Sequence, residues 1–303
     1  MASTAYVPEL TFAEGHSDAI NVLAFSSDGS YLASGSDDET VIIWKTLKGT
    51  FLYRITMRSK VDSLIWHPLR EGTVIVGCEN GTVSQVHNLS VMSSETHPIN
   101  LGVKSHIYCM DYAPTTQLLA AAVGPHVYLT RETTPNTYAG IVMLPNPPVD
   151  AVATEESRER PVALKFDSTG TNLVVTHMTR GVFCCDVETQ NILWHIKPPG
   201  TYPTMAYSAI SQNFRRIAVH NFKDGVHLYA MGANGSPRPR LCKFEAEPRY
   251  LLALQVAFIH NGDAVVCGSS TGNVCIWQTS TGELYQTLTH PGQSTSLHDN
   301  DRP

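Results

Sequence analysis

The apolar residues of this chain come in short runs bounded by Gly, Asn, Asp, Ser or Thr, and one arrangement of them recurs along its length. LASGSDDETVIIW (Leu32 to Trp44) lies without a gap over VIVGCENGTVSQV (Val74 to Val86) and LVVTHMTRGVFCC (Leu173 to Cys185). It lies equally over IAVHNFKDGVHLY (Ile217 to Tyr229) and VVCGSSTGNVCIW (Val265 to Trp277), and with one deletion over LAAAVGPHVYLT (Leu119 to Thr130). The positions equivalent to Trp44 are therefore Val86, Thr130, Cys185, Tyr229 and Trp277, spaced by 42, 44, 55, 44 and 48 residues. A fixed period of this size marks a repeat architecture, in which each unit needs its neighbours to bury its apolar faces.

Within a unit the runs are too short for helices and alternate with turn residues, the signature of strands. A first apolar stretch ends in Phe25, Tyr112, Phe166 or Phe258, and a tight turn follows at Asp28-Gly29, Thr169-Gly170 or Asn261-Gly262. Such pairs accept the positive φ that hairpins demand. A second turn lies at Asp38-Glu39, Asn80-Gly81, Asp224-Gly225 and Thr271-Gly272, and a last stretch reads FLYRIT, YAGIVML, NILWHI, RLCKF or ELYQTL. Four strands per unit at this period predicts an all-β fold of propeller blades.

The first unit carries more than periodicity. Gly15-His16, the SGSDDETVIIW segment and Trp44 together resemble a WD40 repeat. The resemblance implies a structural tetrad of His16, Ser34, Asp38 and Trp44 joined by hydrogen bonds, which would pin the blade because buried polar groups must be paired. The family's terminal Asp is Lys45 here; Cys185-Asp186 keeps the Asp without the Trp, and Trp277-Gln278 the Trp alone. The resemblance runs from about Tyr6 to Leu288 and implies a single WD40-like β-propeller over residues 1–303. Its six four-stranded blades fall at approximately 15–56, 57–103, 104–145, 160–198, 202–245 and 249–289. YVPELTF (Tyr6 to Phe12) reads as the N-terminal strand of an incomplete seventh blade, with the missing strands lost to C-terminal truncation. A six-bladed ring with a spare strand is the other reading. Residues 146–160 form an inter-blade loop, 88–104 and 232–240 interrupt the repeat, and 290–303 read as a disordered tail.

Composition narrows the function classes. Charged residues make up 16% and hydrophobic ones 42%, which excludes a disordered chain. The net charge of −6 argues against a nucleic-acid binder, and no apolar run is long enough to span a membrane. Seven cysteines, none spaced C-x-x-C and most inside apolar runs, read as reduced buried thiols in a cytoplasmic or nuclear setting.

No motif points to chemistry. Gly268-Ser269-Ser270-Thr271-Gly272 spells a nucleophile elbow, but it sits in a β-hairpin with no helix to follow. The thirteen histidines include no H-E-x-x-H, and His220 and His227 lie on facing strands of one hairpin, so neither metal nor cofactor is expected. The expectation is a non-enzymatic scaffold or adaptor, a monomer or a subunit of a hetero-complex, that binds protein partners. A substrate-receptor subunit of an assembly such as a ubiquitin ligase is the alternative, and a propeller-based hydrolase ranks below both. The resemblance places partners on the face holding the loops before strand one and between strands two and three. By position those loops carry Ser17, Asp18, Asp37, Lys60, Glu79, His106, Arg160, Met178, Tyr202, Phe222, Tyr250 and Ser270.

Overall fold

The computed structural model describes residues 5–12, 15–89, 94–148, 159–198, 205–222, 225–232, 235–238, 242–244, 254–269 and 271–289. Tyr202, Tyr250 and Ser270 lie outside them, as do the tail and most of the 146–160 loop. The described strands form six four-stranded antiparallel sheets, each a meander of consecutive strands.

The chain divides into two units. The larger, residues 8–203, holds four blades. Blade one is β1 (Ile20–Phe25), β2 (Tyr31–Ser36), β3 (Thr40–Lys45) and β4 (Thr50–Thr56); blade two is β5 (Val61–Trp66), β6 (Val74–Cys78), β7 (Val83–His87) and β8 (Glu95–Ile99). Blade three is β9 (Ile107–Ala113), β10 (Leu118–Val123), β11 (His126–Thr134) and β12 (Thr137–Met143); blade four is β13 (Pro161–Phe166), β14 (Asn172–His177), β15 (Gly181–Asp186) and β16 (Ile192–Ile196). The smaller unit, residues 1–7 with 204–303, holds two. These are β17 (Met205–Ile210), β18 (Arg216–Asn221), β19 (Gly225–Ala230) and β20 (Cys242–Phe244), then β21 (Val256–Ile259), β22 (Ala264–Gly268), β23 (Asn273–Gln278) and β24 (Leu284–Thr289).

The repeated apolar segment supplies the second and third strands of each blade. Because these strands are covered on both faces, they read as continuous apolar runs: β6 and β10 are buried at every residue, whereas most of β12 is exposed. Neighbouring sheets share clusters. Val41, Ile43 and Ile55 meet Val61, Leu64 and Val76, and Leu129 and Ala122 meet Leu164, Leu173 and Phe183. In the smaller unit, Phe244 stacks on Trp277 with ring centroids 5.4 Å apart.

Close approach between blades depends on two glycines. A Cβ on Gly35 would stand 2.4 Å from Val61 Cγ1, and one on Gly77 would stand 2.5 Å from Ile107 Cγ2. Each glycine lies in the second strand of its blade and admits the first residue of the next blade's first strand.

Blades two and three are also joined by a buried polar knot. Glu132 accepts hydrogen bonds from Tyr112 Oη (2.7 Å) and from the Asn136 backbone N–H (3.1 Å), pairs with His67 Nε2 (3.0 Å), and meets Arg70 at 2.5 Å. Burial works to raise its pKa, but the bonds from Tyr112, Arg70 and His67 outweigh it and hold the carboxyl below its usual range. Burial keeps His67 neutral; its Nδ1 accepts from the Leu69 N–H (3.2 Å), so Nε2 carries the proton toward Glu132.

Residues 5–12 form no strand. The expected seventh-blade strand is absent there, and two of its aromatic residues have separate anchors. Tyr6 exchanges two 2.8 Å hydrogen bonds with the Gln286 side chain on β24, while Phe12 packs edge-on against Trp44, 5.7 Å between centroids. One face of β1 is apolar and open: Leu23 and Phe25 are 60% and 64% exposed.

Candidate protein-interaction site

The tetrad side chains form one relay. Trp44 Nε1–H donates to Ser34 Oγ (2.9 Å), Ser34 lies 2.8 Å from His16 Nε2, and His16 Nδ1 lies 3.0 Å from Asp38 Oδ2. With the imidazole proton on Nδ1, every group in the relay is satisfied: Ser34 donates onward to Nε2 and accepts from the indole. Asp38 also accepts from Thr40 Oγ1 (2.7 Å) and the Ser17 N–H (2.9 Å). Burial opposes ionisation of Asp38, but the Thr40, Ser17 and His16 hydrogen bonds prevail and hold it far below the usual carboxylate range. All four side chains are turned inward. They fix the loop before β1 to the β2–β3 turn and are support rather than contact surface.

The surface of interest begins at the edge so supported. In each of blades one to four the pairing of the first and second strands breaks register near the second residue of the first strand. A bulge of this kind bends the strand and re-aims the extra side chain. The re-aimed residues are Asn21, Asp62, Tyr108 and Val162, and the residue just before each of β5, β9 and β13 is basic: Lys60, His106 and Arg160.

Each basic residue reaches the preceding blade. Lys60 Nζ lies 3.6 Å from Asp37 Oδ2, and Asn21 Nδ2 steadies the same carboxylate through Oδ1 (2.7 Å). His106 Nε2 lies 3.0 Å from Asp62 Oδ2. The Arg160 guanidinium sits 4.9 Å from the Tyr108 ring centroid, and the His106 ring stacks on Tyr108 at 4.1 Å. Tyr108 is thus held between an imidazole and a guanidinium, an arrangement its π face favours. The glycines set this spacing: seating Val61 over Gly35 and Ile107 over Gly77 brings Lys60 and His106 to the neighbouring blade's edge.

Of the residues expected on this face, Asp18, Asp37, Lys60, Glu79, His106 and Arg160 share the edge of the larger unit, with Asp18, Lys60 and Glu79 exposed. Met178 departs from expectation. Only 5% of it is exposed; its N–H donates to the Arg160 carbonyl (3.1 Å) while its apolar thioether is packed inside, as burial favours. Phe222, in the smaller unit, is half-buried and leans edge-on against His220 at 5.9 Å, so its ring has a packing role. Asn21, Asp62 and Tyr108 were not legible beforehand, because a bulge leaves no signature in a single repeat.

Among the described residues, one group brings three metal-ligating side chains within 4.8 Å of one another: His87, Glu95 and His97. It lies at the opposite end of blade two from Glu79. His220, by contrast, is buried and neutral, its pKa pushed down to about 4 by burial and by His227 beside it.

Residues 7–45 match the family model described as WD domain, G-beta repeat. The β-propeller domain of Myceliophteria thermophila Cps50 (Swd1) superposes with a TM-score of 0.73, at 19% identity, over 92% of this chain and 89% of that one. The chain has a β-propeller fold, and its first blade matches a WD40 repeat. Segments of the propeller also resemble curated proteins. Ribosome biogenesis protein ERB1 of Debaryomyces hansenii is 38% identical over 64 residues, which is 19% of this chain and 8% of that protein. Small ribosomal subunit protein RACK1y of Oryza sativa subsp. japonica is 39% identical over 57 residues, 19% of this chain and 17% of that one. Target of rapamycin complex subunit wat1 of Schizosaccharomyces pombe is 31% identical over 81 residues, 27% and 25% respectively. These alignments span a quarter or less of each relative. Among the described residues no helix is long and apolar enough to cross a membrane.

Proposed function

We propose that this propeller is a non-enzymatic, intracellular scaffold that holds protein partners on the edge formed by Asp18, Asp37, Lys60, Asp62, Glu79, His106, Tyr108 and Arg160. The observation that carries the reading is the repeated bulge. In four successive blades the first strand carries a bulge at its second residue, which is polar or aromatic in three of them (Asn21, Asp62 and Tyr108) and a buried valine in the fourth, and three of the blades set a basic residue just before that strand. The result is a row of mixed charge with an aromatic ring in contact with an imidazole and a guanidinium, the composition that protein interfaces favour at Tyr and Arg anchors. The named relatives, a ribosome biogenesis protein, a small ribosomal subunit protein and a target of rapamycin complex subunit, support membership of a multiprotein assembly.

The test is charge reversal at two exposed positions, Lys60→Glu with Glu79→Lys. Wild type and variant, matched for melting temperature, are used as bait in native lysate, and retained proteins are quantified by mass spectrometry. Selective loss of one or more partners from the variant supports the assignment. An identical partner set from both proteins removes this edge as the binding site.

A further inference from the structure

We infer that His87, Glu95 and His97 form a binding site for a divalent transition-metal ion, zinc first, on the β7–β8 hairpin of blade two. The register places these side chains together. His87 pairs with Glu95 and Gln85 with His97 across the two antiparallel strands. Residues two apart on a strand share a face, so both histidines and the carboxylate project from the same side of the hairpin.

Their atoms already converge. His87 Nε2 lies 3.7 Å and His97 Nε2 3.9 Å from Glu95 Oε2, and the two imidazoles stack at 4.7 Å with 14° between their planes. Tetrahedral zinc with bonds near 2.0–2.2 Å requires its ligand atoms about 3.4 Å apart. The two nitrogen-to-carboxylate spacings are close to this and all three ligand atoms lie within 4.8 Å of one another, so the stacked imidazoles must rotate for both nitrogens to reach one ion. Two imidazole nitrogens and one carboxylate oxygen, with no thiolate, match zinc and its first-row neighbours rather than calcium or magnesium.

Two further observations point to a ligand. His97 Nε2 is shielded from solvent and has no hydrogen-bond partner among the described residues, although the rest of the ring is accessible. A buried polar atom without a partner calls for an explanation, and a bound ion supplies one. The carboxylate is also pre-set, since Asn88 Nδ2 donates to Glu95 Oε1 (2.9 Å) and leaves Oε2 facing the imidazoles. Such outer bonds orient metal ligands. Asn136 Nδ2, at 3.4 Å from His87 Nε2, makes a contact that an ion would displace. Three protein ligands leave a fourth position open to water. The ion would bridge β7 to β8 across the residues that join them.

The experiment uses the full chain without a polyhistidine tag, stripped with chelator and titrated with zinc against a chromophoric zinc indicator. One equivalent is expected to bind, and His97→Gln and Glu95→Gln are each expected to weaken it by about tenfold or more. Zinc is expected to raise the melting temperature of the wild type and not of the variants. Cobalt substitution should give tetrahedral d–d bands without thiolate-to-cobalt charge transfer, which separates this site from the cysteines. Absence of a saturable equivalent, zinc binding indifferent to both substitutions, or a thiolate band would each overturn the assignment. Should Glu95→Gln fail to fold, judged by circular dichroism, His97→Gln alone decides.

Discussion

Removal of one oxygen from blade one offers a sharp test of the relay around Trp44. Ser34 is 2% exposed, and its Oγ serves both Trp44 Nε1–H and His16 Nε2. Ser34→Ala leaves those two nitrogens without a partner where water has little access. An unsatisfied buried polar group costs about 1–3 kcal/mol, so the substitution should destabilise blade one by about 2–4 kcal/mol, a roughly 30- to 1,000-fold rise in its open population. Hydrogen–deuterium exchange read by mass spectrometry suits the question, because it reports opening blade by blade. Peptides covering Tyr31–Lys45 should lose protection by that factor while peptides from β21–β24 keep theirs. Trp44→Phe removes the indole donor, so in its background Ser34→Ala should cost at least about 1 kcal/mol less, the coupling a double-mutant cycle reads for contacting groups. Protection falling by less than about threefold, or strict additivity of the two substitutions, would refute the relay as a stabilising unit.

Other outcomes follow from buried groups elsewhere. His177 and His220 are held neutral by burial, with pKa values pushed down to about 3 and about 4. Their folded values lie below the ordinary 6.5, so the unfolded chain takes up protons that the folded chain refuses. Stability is therefore unaffected above pH 7 and should fall by about 2 kcal/mol per histidine by pH 5, read as a lower urea midpoint that His220→Asn partly restores; a flat midpoint between pH 7.5 and 5 would contradict this. Glu132→Ala strands His67, Arg70 and Tyr112 and should cost about 3–5 kcal/mol, near 10 °C in melting temperature, with Glu132→Gln milder because it keeps an acceptor. Cys78, Cys184, Cys185 and Cys267 have thiol pKa values raised by burial to about 11, 12, 11 and 12, so iodoacetamide at pH 8 should leave all four unmodified until urea unfolds the chain. Labelling of any of them in the native protein would show that its blade opens.

What could be read in advance was what a single strand or turn encodes. Asp28-Gly29, Asn80-Gly81 and Thr169-Gly170 form turns with glycine φ of 71°, 83° and 74°, as the hairpin reading requires. The alignment on Trp44 locates the second and third strands of every blade because these largely buried strands are rich in apolar residues. Side-chain groupings that depend on neighbouring blades were hidden. His67 and Glu132 stand 65 positions apart and meet only when two sheets stack. The mixed fate of the strand-ending aromatics has the same origin: Phe166 is 3% exposed and Tyr112 bonds Glu132, while Phe25 stands 64% exposed. Met178 was placed on the surface by position in the repeat, yet an apolar side chain beside a packed sheet turns inward. The His87, Glu95 and His97 grouping leaves no sequence signature, because its ligands straddle a connection with no recognisable spacing.

The knot around Glu132 bears on how such a chain can change over generations. An exposed loop residue can be exchanged singly at little cost, but no member of this knot can. Losing the carboxylate first strands a guanidinium; losing Arg70 first leaves the carboxylate without its cation. Every one-step path away from the present set crosses an intermediate several kcal/mol less stable, so these residues of blades two and three are free to drift only together. Mutual dependence of this kind can hold two blades in register where neither carries the tetrad of blade one. Exposed charges such as Lys60 and Glu79 carry no such constraint.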